Sequence, residues 1–208
     1  MRQISLIWFR KDLRTSDNLA LSEATKLGTV IPIFIFDHTL DEYNKIGGAS
    51  LWWLEKSLKS LNKSLFENLN ILEGNSYEII SKISEKYNVT NIFWNRCYEP
   101  DRIKKDTVIK EYLKKSNINV RTFNSSLLWE PWKIKNKQGG AYKVFTPFFR
   151  SCISEAEKPR NSIKEVYQKN SFINPISSDN TLKFYKFKYL DKTRHWSKKF
   201  ENFWNPGE

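Results

Sequence analysis

The stretch IWFRKDLRTSDNLAL, residues 7–21, decides how this chain folds. Its apolar start continues a run from Ile4 to Phe9 that has the length and residue types of a buried strand. Charge follows almost at once, in Arg10, Lys11, Asp12 and Arg14, and then Ser16 and Asp17 open a helix with Asn18 and Leu19. Strand, short loop and helix form the first unit of an α/β ligand-binding fold. A dinucleotide site would carry glycines here, so that a pyrophosphate could approach bare backbone. This turn has none. It offers charged side chains instead, which excludes a simple NAD site and points to a different ligand.

Working outward, strand-length apolar runs alternate with helical patterns. The first helix runs from 17 to about 27, with Ser16 or Asp17 as its cap and Gly28 as its stop. VIPIFIF at 30–36 is almost continuously apolar, as expected of a central strand covered on both faces. A long helix is expected from 49 to about 66, where Leu51, Leu54, Leu58, Leu61 and Leu65 make one stripe. Strands at 69–72, 91–94 and 120–123 alternate with helices at 76–87 and 101–115. The series predicts an α/β fold: a Rossmann-like, open, parallel five-stranded sheet with helices on both faces and right-handed crossovers. The pattern ends near Asn124. Residues 1–130 read as the α/β domain and 131–157 as an interface segment with a helix starting after Thr146-Pro147. Residues 158–208 are polar, with few regular signals, and read as disordered or as an extended linker. Trp196, Phe200, Phe203 and Trp204 favour a linker laid over a neighbouring unit.

The composition narrows the function classes. The chain has 208 residues, 8 Trp and 14 Phe, enough for one packed domain with aromatics left over for flat ligands or interfaces. A net charge of +12 attracts phosphate backbones, but it is mostly Lys scattered through an Asn- and Ile-rich chain, so charge alone leaves nucleic-acid contact open. Cys97 and Cys152 have no CxxC spacing, and His38 and His195 are the only histidines, so no metal site is expected. Such cysteine usage fits a reduced, cytoplasmic protein. The short apolar run at the start reads as a strand rather than a signal peptide, and no run has the length of a membrane helix.

Ligands of an open parallel sheet bind beyond the carboxyl ends of the strands. The loops after strands one, two and four supply Arg10, Lys11, Asp12 and Arg14, then Asp37 and His38, then Asn95, Arg96, Cys97, Tyr98, Glu99 and Pro100. Cations, carboxylates, an amide and aromatics together suit a planar polar heterocycle. Each residue also has a purely structural use. Asp12 and Arg14 pair with each other or cap the helix, Arg10 locks its loop to Glu99 or Asp37, His38 lies on the surface and Cys97 packs the loop. Of Trp52 and Trp53, one is expected in the core and one at the ligand edge. No nucleophile stands with a base, and no GxSxG, P-loop or metal triad occurs, so no catalytic residue is assigned.

These residues carry a resemblance. WFRKDLRTSDNLAL resembles the opening of the photolyase and cryptochrome family, WFR-x-DLR-x-x-DN-x-AL. GGASLWWLEKSLKSLNKSL is similar to its long second helix, FWNRCYEPDRIKKD to its WN-x-x-x-EP segment, and LLWEPWKIKNKQGGAYKVFTPFFRSC to its LL-x-P … G-x-x-Y-x-VFTPF-x-R stretch. WNPGE at 204–208 resembles the W-x-PGE that opens the family's all-helical domain. The chain departs in carrying Asp101 and Arg102 where some folate-binding members have Asn-Glu, and Leu51 where many have Arg. The resemblance implies a light-harvesting antenna domain plus interdomain linker, without the helical domain that holds FAD. The implied antenna chromophore is methenyltetrahydrofolate, 8-hydroxy-deazaflavin or FMN, held by Phe9, Arg10, Lys11, Asp37, Trp53, Asn95, Arg96, Cys97 and Glu99. FAD and damaged DNA are then reached only through a separately encoded or lost helical domain, whose docking face is expected at 142–150 and 196–204. A light-sensing fragment of the cryptochrome type, a basic nucleic-acid module without chromophore, and a stand-alone nucleotide-binding protein are the alternative readings.

Overall fold

The computed structural model of the chain describes residues 3–40, 45–154, 157–164, 167–188, 197, 199–200 and 203–207. Five strands and four helices alternate as expected. They are β1 (Gln3–Phe9), α1 (Leu19–Leu27), β2 (Gly28–Phe36), α2 (Gly48–Ser64), β3 (Asn70–Glu73), α3 (Ser76–Lys86), β4 (Asn91–Asn95), α4 (Pro100–Lys115) and β5 (Asn119–Phe123). A further helix, α5 (Phe145–Ser154), takes in the Thr146-Pro147 pair expected to precede it. The strand order is β3-β2-β1-β4-β5, every pair is parallel, and the order reverses direction between β1 and β4.

Alternation along the strands fixes which helices cover which face. Ile7 and Phe9 of β1, with Phe34 and Phe36 of β2, pack on Leu21 and Ala24 of α1, on Leu58 and Leu61 of α2 and on Leu65 that caps it. Leu6 and Trp8, with Ile33 and Trp94, face Ile79, Ile80 and Ile83 of α3 and Ile109 and Leu113 of α4. Both faces of the central strands are therefore dry, which is why VIPIFIF has no polar position. Its Pro32 cannot donate to a ladder, and β3 begins pairing only at Ile33; Asn70 Nδ2 instead donates to the Pro32 carbonyl at 3.2 Å. Gly28 joins α1 to β2 at φ 153°, and a Cβ there would meet the Gln3 carbonyl oxygen at 2.5 Å.

Two expectations need correction. Asn18, not Ser16 or Asp17, caps α1, its Oδ1 accepting from the Leu21 N–H at 3.0 Å. Asp17 sits at φ 47° with its carboxylate bound by Arg160. The linker is also not simply laid over a neighbour, because its residues 167–188 return to this sheet. Phe172 bridges to Val30 on the part of β2 that the short β3 leaves uncovered. Tyr185 donates its N–H to the Ile71 carbonyl, while Phe184 bridges antiparallel to Leu72, so the outer edge of β3 is paired. Phe172, Ile176, Leu182 and Tyr185 are buried in the two cores. The Tyr185 ring stacks on Phe36 with centroids 3.7 Å apart, and its hydroxyl donates to the buried Glu55 at 2.7 Å. The expectations for Trp196 and His195 fall outside the described residues.

A linker segment that completes a core carries stability. Phe172→Ala should cost about 3–5 kcal/mol in urea unfolding, the usual range for a buried Phe. A loss under about 1 kcal/mol would mean that the segment is only draped on the surface.

Candidate functional site

The crevice lies where the strand order reverses, at the carboxyl ends of β1 and β4. Beneath it runs a buried polar network. Arg10 follows the last residue of β1 and is 3% exposed. Its Nη1 donates to Asp106 Oδ1 on α4 at 2.7 Å, its Nη2 donates to the Asn95 carbonyl, and its guanidinium lies 4.9 Å from the centre of the Trp8 ring. Asp106 also accepts from Trp94 Nε1 at 2.9 Å. The lock expected between Arg10 and Glu99 or Asp37 is therefore made to Asp106 instead.

Asp12 does not pair with Arg14. Its carboxylate accepts the Arg10 N–H at 3.0 Å, Asn95 Nδ2 at 2.6 Å and Asn18 Nδ2 at 3.2 Å. Asn95 also donates to Asn18 Oδ1 at 2.8 Å, and its own Oδ1 accepts the Ala20 N–H at 3.3 Å. One carboxylate and two amides thus tie the end of β4 to the first turn of α1. Burial pushes the Asp12 carboxyl above the usual aspartate range, against the opposing pull of its bonds to Asn95 and Arg10. Arg14 reaches away, its Nη2 donating to the Ser125 carbonyl at 2.7 Å and to its hydroxyl at 2.9 Å.

A cavity of about 480 Å³ opens above this network. Five of the expected contact residues line it: Lys11, Asn95, Arg96, Cys97 and Glu99. Asp12, Arg14, Tyr98 and residues 125–127 complete the wall. Lys11 and Glu99 form an ion pair, each side chain about half exposed (50% and 46%), and such a pair contributes little stability. Burial pushes the Cys97 thiol up, so it stays protonated and unreactive at neutral pH, as expected of a packing residue. Tyr98 is pushed up to about 12, by burial and then by its hydrogen bond to Glu130 at 2.8 Å.

The other expected contacts lie elsewhere. Phe9 is wholly buried in the core, and its side chain does not line the cavity. Trp52 is buried and Trp53 half-buried, their rings tilted together 5.8 Å apart; Trp53 is not in the wall of the 480 Å³ cavity. Asp37 is buried and bound by Lys105, by the N–H and hydroxyl of Ser76 and by Thr39. It anchors the start of α3 beneath a second, more open groove of about 510 Å³ that Tyr77, Asp101, Lys104 and Lys105 help to line. His38 is at the surface, with Nε2 2.8 Å from Glu73 Oε1. Sequence reading missed Asp106 and Glu130, the acids that hold Arg10 and Arg96. Their partners lie 96 and 34 residues away, and local spacing carries no sign of either pairing. Among the described residues no cluster of His, Cys, Asp and Glu could hold a metal ion, and no helix is long and apolar enough to cross a membrane.

The family model described as DNA photolyase matches residues 5–165. The deoxyribodipyrimidine photo-lyase of Agrobacterium fabrum is 34% identical over 98% of this chain, and cryptochrome-1 of Arabidopsis thaliana is 32% identical over 76%. A crystal structure of a bacterial class III photolyase from Agrobacterium tumefaciens superposes over the whole chain with a TM-score of 0.83 and 32% identity. An archaeal photolyase from Sulfolobus tokodaii, described with two FAD molecules and the implication of a novel light-harvesting cofactor, shares the fold at 23% identity and a TM-score of 0.62. The chain spans 42% of the first relative's length, 24% of the cryptochrome, and 42% and 38% of the two crystallised chains.

The network gives two predictions. Arg10→Met should destabilise by about 3–5 kcal/mol in urea unfolding, because Asp106 is left as a buried, unpaired charge, while Arg10→Met with Asp106→Asn should lose clearly less. Burial raises the Asp37 carboxyl, but Lys105, Ser76 and Thr39 outweigh it and hold it below the usual range. A lowered folded-state pKa adds stability above the unfolded value that is lost as pH falls through the folded one. The stability gap between wild type and Asp37→Asn should be widest at neutral pH and should shrink below about pH 4. A gap that is flat with pH would remove the ionic role of Asp37.

Proposed function

The chain belongs to the DNA photolyase family, and from that premise we propose that this α/β unit is the light-harvesting, antenna-binding domain of a deoxyribodipyrimidine photolyase. The observation that carries the reading is the 480 Å³ cavity at the strand-order reversal, with a wall of side chains already fixed by buried partners. Its volume lies in the range of small-molecule sites, about 300–1,000 Å³. Lys11 offers charged donors and Glu99 an acceptor, both half exposed, and Leu127 an apolar surface. That set suits the edge and faces of a folate or flavin ring: methenyltetrahydrofolate, 8-hydroxy-deazaflavin or FMN. When bound, such a group absorbs near-ultraviolet or blue light. The chain's own residues contribute binding and orientation, and none is assigned to catalysis.

The receiving partner in this reading is a FAD-binding helical domain, with pyrimidine dimers in DNA engaged through it. Support comes from large apolar side chains left in the open on the segments outside the sheet. Phe145, Phe149 and Ile153 of α5 are exposed, as are Leu128, Trp132, Phe203 and Trp204. A cytoplasmic location accords with this role.

The test adds each of the three chromophores to the purified chain and records absorption after free ligand is removed. A retained or shifted band with at least one is expected, weakened by Lys11→Ala and Tyr98→Phe. No band with any of them would overturn the antenna reading. Salt-sensitive binding of duplex DNA in its place would favour the nucleic-acid module.

A further inference from the structure

Glu130 lies behind the 480 Å³ cavity, on a neighbouring groove of about 690 Å³, yet it holds two of the cavity's wall residues, Arg96 and Tyr98. It is 5% exposed. Its Oε1 accepts from Arg96 Nε at 2.7 Å and from the Tyr98 hydroxyl at 2.8 Å. Trp132, two residues on, lies against both partners, with its ring centre 5.8 Å from that of Tyr98 and 5.9 Å from the Arg96 guanidinium. Arg96 and Tyr98 flank Cys97 in the β4 loop, one wall of the cavity. The facing wall, residues 125–127, belongs to the segment that leads into Glu130, and Arg14 holds its start through Ser125. Beyond Glu130 a turn closes through the Lys133 N–H to the Glu130 carbonyl at 2.9 Å, and the chain runs on to α5 and its exposed aromatics.

We propose that Glu130 is a positioning residue that couples the cavity to the strap of residues 124–134, so that a ligand seated against Arg96 and Tyr98 also orders the segment leading to α5. The coupling rests on the antenna reading for its ligand, but its mechanical part does not. A buried carboxylate shared by two donors loses much if either moves away, even though Arg96 also donates to Thr122 and the Tyr98 hydroxyl lies 3.1 Å from Asn124 Oδ1. The β4 loop and the strap therefore shift together or not at all. Linkage makes the effect reciprocal: what orders the strap tightens the cavity, and what fills the cavity orders the strap.

Hydrogen exchange on the full chain tests this, with FMN and methenyltetrahydrofolate as separate probes, in wild type, Glu130→Gln and Tyr98→Phe. In Glu130→Gln the amides of 96–98 and of 125–134 should exchange faster together, with β1 and β2 unchanged. Whichever probe binds should protect both segments in wild type and bind about tenfold more weakly to Glu130→Gln, the scale of one charge-assisted contact. The Tyr98 phenolate should form at lower pH in Glu130→Gln, a spectroscopic change that a general loosening of the strap would not give. Tyr98→Phe keeps the Arg96 contact and should show a smaller version of the exchange effect. Loosening of 125–134 without 96–98, or ligand protection of 96–98 without 125–134, would overturn the coupling. If neither probe binds wild type, binding of FMN and methenyltetrahydrofolate is lost to the antenna reading, and the paired exchange of the two segments alone decides the coupling.

Discussion

A guanidinium buried beneath the ends of the central strands is the constraint on which the crevice depends. Arg10 follows a strand whose side chains are dry on both faces, so its charge has no water to fall back on. Asp106 from α4, the carbonyl of Asn95 and the face of Trp8 replace most of the lost hydration, with Arg10 Nε the one buried side-chain nitrogen among the described residues left without a hydrogen bond. Each comes from a different element, so satisfying one charge fixes the end of β1 against β4 and α4. Asp12, two residues on, does the same for α1 through Asn18 and Asn95. A turn with no glycine is thereby tied down on three sides, and the cavity above it is walled by side chains.

The layers of the fold were legible in the sequence and the partners within the site were not, for one physical reason. Periodicity reports burial, and burial is a property of a whole strand or helix. The run at 30–36 and the Leu stripe of α2 therefore gave their elements and faces directly. Partner choice is decided by which elements the topology brings together. Arg10 had plausible acids nearby in Glu99 and Asp37, but Lys11 holds the first and Lys105 the second, while Asp106 lies one face away. The cap of α1 went to Asn18 for a similar reason: Arg160, far along the chain, takes the carboxylate of Asp17.

The linker shows the limit of the same signal. Between 167 and 188 the apolar residues are spaced too irregularly to form a face, and the segment reads as polar chain. Four of them still reach the core, each filling a separate gap: Phe172 beside β2, Tyr185 on Phe36, Ile176 and Leu182 under the opposite face. Burial of isolated anchors needs no period, because extended chain can place one side chain where the sheet is short of cover. β3 has four residues, and the linker supplies what it lacks.

This use of the linker changes what the remaining exposed aromatics mean. A segment that merely spanned two units would leave its apolar residues scattered. Here the middle of the linker is consumed by the domain's own sheet, while α5 before it and residues 203–204 near its end keep theirs in the open. Phe145 at 70% and Phe203 at 83% exposure were passed over by a core that drew in Phe172 and Tyr185. The anchored stretch fixes where the chain leaves the sheet and so limits where those aromatics can lie. The strap of 124–134 fixes the approach to α5 in the same way, from the wall of the cavity itself. Apolar surface held on tethered segments, with the tether built into the crevice, is an arrangement in which the exposed aromatics and the cavity share one set of supports.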